Sequence, residues 1–319
     1  MPAVSCGRHL ALNNRKGDIM NINEVYNDLK KKSKKKIILD TDTFNEVDDQ
    51  FALVYAMLSK DTIDLLSVNA APFHNRKVAS AKEGMEKSYE EIKRVIAHVD
   101  PECSIPVYRG SESFLTAKDT PVESEAVDNI IRSVMESDEL VYIVAIGAIT
   151  NVASAIIKCP EIINKAAVIW LGGVAYDAPM TQEFNMKQDI PAVQVVFDSG
   201  IPVVMVPAPG VAGELITTIP ELREYLAGKN EICNYLYDIV VEYSGGKFAW
   251  SKVIWDIANI GLFNVQNAYD MVIRSTPMVF EGCRYSFDDS RHKMIYVRKI
   301  RRDLIFADLF QKLAALNNE

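Results

Sequence analysis

From Lys36 onward the chain alternates short apolar runs with segments whose apolar positions recur at helical spacing. The run "IILD" precedes "DQFALVYAMLSK", "IDLLSVNA" precedes "ASAKEGMEKSYEEIKRVIAHV", and "LVYIVAIG" precedes "TNVASAIIKC"; "AAVIWLGG" and "IPVVMVP" add two more strand-like runs. Stretches such as "VYIVAI" are apolar without alternation, which suits central strands covered on both faces. The pattern predicts βα units on an open, mostly parallel, doubly wound α/β sheet with a Rossmann-like core. After residue 215 the pattern turns helical in "ELREYLAG", "EICNYLYDIVVEYS" and "WDIANIGLFN". It then reads as strand in "RYSFDDS" and "HKMIYVRKI", with a closing helix from about Arg302 to Leu316. This helical C-terminal portion is expected to return and cover the sheet. No repeat or Pro/Gly-rich linker divides residues 36–319, which read as one domain. Residues 1–35 read as an N-terminal tail, ill-ordered or partly helical, with the amphipathic "MNINEVYNDLKKK" opening at Met20.

Composition narrows the classes. The 319 residues are 49% hydrophobic and 24% charged, enough apolar content for a large buried core. A net charge of −8 without a dominant basic patch gives nucleic acid no counterpart for its phosphates. The run "KKKSKKK" at 30–36 precedes a buried strand and reads as a solvated approach to it. No apolar run is long enough for a membrane span, and no export signal opens the chain. The five cysteines (Cys6, Cys103, Cys159, Cys233, Cys283) are widely spaced and form no CxxC pair. Neither a disulfide framework nor a zinc site is expected, and a cytoplasmic setting is.

The chemistry concentrates in "LDTDTFNEVDDQFAL" at 39–53. Asp40, Asp42, Glu46, Asp48 and Asp49 stand at or just beyond the end of the first strand, where parallel sheets bind ligands. Converging carboxylates repel one another unless a cation sits among them, and oxygen donors in that number suit calcium or magnesium better than zinc. Asp48 or Asp49 as a helix N-cap accounts for part of the cluster, but not for Asp40 and Asp42. A magnesium phosphohydrolase of the haloacid-dehalogenase kind also opens with a strand and DxD. It expects Thr or Val where this chain has Phe44.

Read with "IGAITNVA" (146–153), "LGGVAYDAPMTQEFNMKQD" (171–189) and "IWDIA" (254–258), the acidic turn resembles, in order and spacing, the nucleoside hydrolase family. The resemblance runs from Lys36 to the C-terminus and implies hydrolysis of ribonucleosides to free base and ribose. By motif it implies that Asp42, Asp49, the Thr150 carbonyl and Asp256 hold Ca2+. It makes Asp42 the general base and sets Asp48 beside the 2'-hydroxyl. Glu183, Asn185 and Asn75 then match ribose contacts, and a homodimer or homotetramer is expected. A domain that binds ribosides with little turnover is a further reading.

Three departures bear on the site. The link "TFNEV" is two residues longer than the family's usual one, so Asn45 and Glu46 either reach substrate or face solvent. Asp177 stands where the family commonly has an asparagine at the 5' end of the sugar. Trp255 replaces the histidine that precedes the late aspartate in inosine-uridine-preferring members. An indole stacks on a base but supplies no acid at neutral pH. Tyr243, Phe248, Trp250 and Trp255 are candidates for an aromatic base pocket or for core packing. His74, next to Asn75, is a weaker candidate for the site.

Overall fold

The computed structural model describes residues 20–179 and 182–316, so the first part of the tail lies outside the described residues. In chain order the elements open with α1 (Ile22–Leu29), β1 (Lys35–Thr41), α2 (Asp49–Leu58), β2 (Ile63–Ala70), α3 (Ala81–Val99) and β3 (Val107–Tyr108). They continue with α4 (Glu125–Glu136), β4 (Val141–Ala145), α5 (Thr150–Lys158), β5 (Ala166–Leu171), α6 (Phe184–Gln188), α7 (Ile190–Asp198) and β6 (Val203–Val206). The C-terminal third comprises β7 (Ile216–Thr218), α8 (Ile219–Tyr225), α9 (Glu231–Ser244), β8 (Ser251–Val253) and α10 (Ile257–Asn264). It ends with β9 (Tyr269–Ser275), β10 (Met278–Phe280), β11 (Arg284–Ser286), β12 (Lys293–Ile300) and α11 (Arg302–Ala315).

Eight strands form one sheet in the order β3-β2-β1-β4-β5-β6-β12-β9. Every neighbouring pair is parallel except β12 with β9. The open, mostly parallel α/β sheet is as the apolar pattern predicts. The runs "VYIVA" and "AAVIWL" are buried along their whole length, because helices cover both faces. Strand order reverses between β1 and β4, and in such sheets the crevice beyond that switch point receives ligands.

The C-terminal portion is less helical than its pattern predicts. The strand β12 enters the main sheet beside β6, and β9 pairs antiparallel with it as the edge. The short hairpins β7-β8 and β10-β11 lie outside the main sheet. Of the segment assigned to the tail, Ile22–Leu29 is helix, capped by the Asn21 side chain on the amide of Asn23. Its Val25 and Leu29 are buried in the core, and Asp28 accepts a hydrogen bond from the Tyr142 hydroxyl at 2.7 Å and pairs with Lys35 at 2.8 Å.

Because Leu29 is buried within the core rather than laid on the surface, Leu29→Ala is expected to lower unfolding free energy by about 2–5 kcal/mol. Urea denaturation measures this. An unchanged midpoint would mean that α1 contributes nothing to the fold.

Candidate active site

The end of β1 turns at Asp42, whose carbonyl accepts from the Asn45 amide at 2.7 Å. Gln50 anchors the turn from inside by donating to the Thr43 carbonyl at 2.9 Å. This geometry brings Asp48 to the N-cap position of α2, yet its side chain makes no capping bond. One oxygen instead meets the Lys252 ammonium at 3.2 Å, and the other accepts from the Trp255 amide at 3.2 Å. Asp256 stands at the N-cap of α10, also without a capping bond. The capping reading of the aspartates therefore holds for their backbone positions and not for their carboxylates.

Asp48, Asp49 and Asp256 are buried and offer oxygens that all lie within 4.8 Å of one another. Calcium–oxygen bonds of roughly 2.3–2.6 Å span about this distance across one ion, so the three can hold a metal. Asp42 stands beside them, and its Oδ2 is buried with no hydrogen-bond partner. The Thr41 hydroxyl donates to Asp49 at 2.5 Å. Gly147, after β4, permits a close approach: a Cβ there would lie 3.1 Å from the Asp42 carboxyl carbon.

Electrostatics follow from this crowding. Burial, then the charges of Asp49, Asp48 and Glu46, push Asp42 well above the usual carboxylate range. Burial, then Asp49, Asp48 and Asp42, do the same to Asp256. Burial and Asp48 raise Asp49 to about 7, against the lowering effect of Thr41. Asp40 is raised to about 7 by burial, although Asn151 donates to it at 2.8 Å. The N-termini of α2 and α10 direct partial positive charge toward the carboxylates, but these two helix ends alone leave the cluster short of counter-charge.

A cavity of about 240 Å³ opens over the cluster. The turn lends it Asp42, Asn45, Glu46, Asp48 and Asp49, and Glu183, Asn185, Trp255 and Asp256 complete the lining together with apolar residues such as Ile146 and Leu171. Glu183 accepts from the amides of Gly173, Asn185 and Met186, and so caps α6. Asn185 spends its amide nitrogen on the carbonyls of Ile146 and Leu171. Asn75 donates to the Asn45 side chain at 2.8 Å and stands one layer behind the cavity wall.

The remaining candidates differ in their surroundings. The buried hydroxyl of Thr150 donates to Asp189 at 2.7 Å; Ile149 is the N-cap of α5, so the Thr150 side chain does not cap it. Asp177 is exposed, in a separate depression with Arg274 and Arg298. His74 is exposed, its amide bonded to Gln188. Of the four aromatics only Trp255 lines the cavity, while Phe248 is fully exposed and belongs to neither a base pocket nor the core. Lys252, which no sequence motif marks, is 6% exposed and pairs with both Glu46 and Asp48.

The family model described as inosine-uridine preferring nucleoside hydrolase matches residues 37–260. The chain belongs to this family. Membership sets aside the phosphohydrolase alternative. A pyrimidine-specific ribonucleoside hydrolase, RihB of Escherichia coli, is 30% identical over 197 residues, covering 54% of this chain and 59% of RihB. The chain thus spans under two thirds of the length of the curated relatives it matches. Among solved structures, a plant nucleoside hydrolase, PpNRh1, superposes with a TM-score of 0.72 at 18% identity, covering 88% of this chain and 99% of its own. A purine-preferring ribonucleoside hydrolase from Gardnerella vaginalis gives 0.71 at 20% identity, with the same 88% and 99% coverage. These likenesses establish the nucleoside hydrolase fold.

Asp40 and Asp49 keep protons in the folded chain that the unfolded chain releases near pH 4. The native state therefore binds more protons between about pH 4 and 7, and stability conferred by the neutral carboxyls is lost as pH rises across that window. Cation-free protein should show a melting temperature that falls from pH 5 to pH 7.5, with calcium reducing the fall. A cation-free melting temperature that rises over this range would contradict the assignment.

Proposed function

We propose that this chain hydrolyses the N-glycosidic bond of ribonucleosides, releasing base and ribose. The observation that carries the reading is the trio Asp48, Asp49 and Asp256 within 4.8 Å, beside the unpartnered oxygen of Asp42, at the base of an open cavity. Asp49 and Asp256 with Asp42, and the Thr150 carbonyl from the family motif, would hold a divalent cation, calcium in this reading. When bound, that ion supplies an anchor for the ribose hydroxyls and Lewis acidity toward water.

Asp42 takes the proton of the attacking water. Its Oδ2, buried and without a hydrogen-bond partner, leaves an oxygen able to accept that proton. Asp48 and Asn185 lie where they can orient the ribose, and the surrounding carboxylates stabilise positive charge as the sugar approaches an oxocarbenium ion. Trp255 presents an apolar face to the base in place of a proton donor. Glu183 acts through the backbone it caps, keeping Asn185 in place. Family likeness also supports a homo-oligomer, and five widely spaced cysteines with no CxxC pair suit a cytoplasmic protein.

The names of the relatives divide between pyrimidine and purine ribosides, so the test is reducing-sugar release across both classes with calcium present. Turnover of at least one ribonucleoside is expected, with Asp42→Ala reducing kcat by about 10²–10⁴-fold. No release from any riboside, or full activity in the variant, would contradict the proposal.

A further inference from the structure

The acidic turn contains an ammonium group that its own sequence does not supply. Lys252, on β8, is 6% exposed, and its Nζ lies 2.5 Å from a Glu46 oxygen and 3.2 Å from Asp48 Oδ1. A third contact, to the Val253 carbonyl at 2.8 Å, fixes the ammonium where it stands. Glu46 sits in the link that is two residues longer than usual, and Trp255, where a histidine is expected, is three residues after Lys252. Lys252 thus touches the first of these departures directly and reaches the second through Asp48. The Trp255 amide holds the second Asp48 oxygen, so Asp48 ties the turn to the segment that bears the cavity's indole wall.

We propose that Lys252 is a positioning residue that clamps Glu46 and Asp48 as a fixed counter-cation, setting the charge of the site and the register between the acidic turn and Trp255. Lys252 does not line the cavity and acts through its two partners. Without it, Glu46 and Asp48 would face Asp42, Asp49 and Asp256 with no ammonium bonded to them; Lys77, which acts on the same carboxylates from a distance, is committed to the Asn45 carbonyl at 2.6 Å. Such a site should attract a divalent cation more strongly and hold the ribose less well. The inference rests on the hydrolase reading for its kinetic consequence alone; its electrostatic consequence stands apart from turnover.

Calcium affinity by calorimetry and kcat/KM for ribonucleosides are compared in wild type, Lys252→Met, Lys252→Arg, Glu46→Gln and the Glu46→Gln/Lys252→Met double variant. Loss of one nearby positive charge should tighten calcium binding by about tenfold in Lys252→Met. The same variant should lose kcat/KM by about tenfold or more, while Lys252→Arg, which keeps the charge, loses far less. The double variant should lose less than the product of the single losses, because the two charges are coupled. Should Lys252→Met not fold, Glu46→Gln carries the test: calcium binding should weaken severalfold. Unchanged calcium affinity in both single variants, or kinetic losses that simply multiply, would overturn the clamp. If wild type cleaves no ribonucleoside, the hydrolase reading fails, and the calcium affinities still decide the role of Lys252.

Discussion

Mutual repulsion among buried carboxylates is the constraint on which this molecule turns. Asp42, Asp48, Asp49 and Asp256 are each 2–3% exposed, and none can share water as an exposed carboxylate does. In the folded chain burial and like charge raise the proton affinity of Asp42, Asp49 and Asp256, while Lys252 and the N-termini of α2 and α10 bring positive charge to the cluster. A divalent cation answers the same need more completely, since one ion can satisfy several oxygens at once. The cost of assembling the cluster and its capacity to bind a cation are two aspects of one arrangement.

The fold makes this arrangement possible by separating rigidity from chemistry. Fully buried strands such as β4 and β5 hold the centre of the sheet, and the loops after β1 and β4 converge where strand order reverses. Asp256 comes from a segment more than two hundred residues from Asp42, carried to the site on α10. The short approach of Gly147 to Asp42 shows how little room remains between the two loops. Polar groups that resemble ligand contacts by motif are here partly structural: Glu183 caps α6, and the Thr150 hydroxyl serves Asp189.

Much of this was legible from residue order. The strands β1, β2, β4, β5 and β6 announce themselves as apolar runs, and the acidic turn as an excess of carboxylates that capping cannot absorb. The edge strand β9 was missed because its burial alternates irregularly and its pairing depends on β12, which lies further along the chain. The three-residue strands β7 and β8 carry no period long enough to detect. Lys252 sits in an ordinary "SKV" triplet and acquires meaning only through partners 204 and 206 residues away. Asp177 matched a motif position, but the backbone after β5 places it in a separate depression.

As proposed, the carboxylate cluster is a cation site in which Asp49, with its carboxyl raised to about 7, holds a proton below that pH until the ion arrives. Calorimetric titration of calcium into metal-free protein at about pH 6, in two buffers of different ionisation enthalpy, measures binding and proton exchange together. One saturable site per chain with net release of protons is expected, because Asp49, raised to about 7, must give up its proton to bind the ion. Absence of saturable binding, or binding with no proton released, would contradict it.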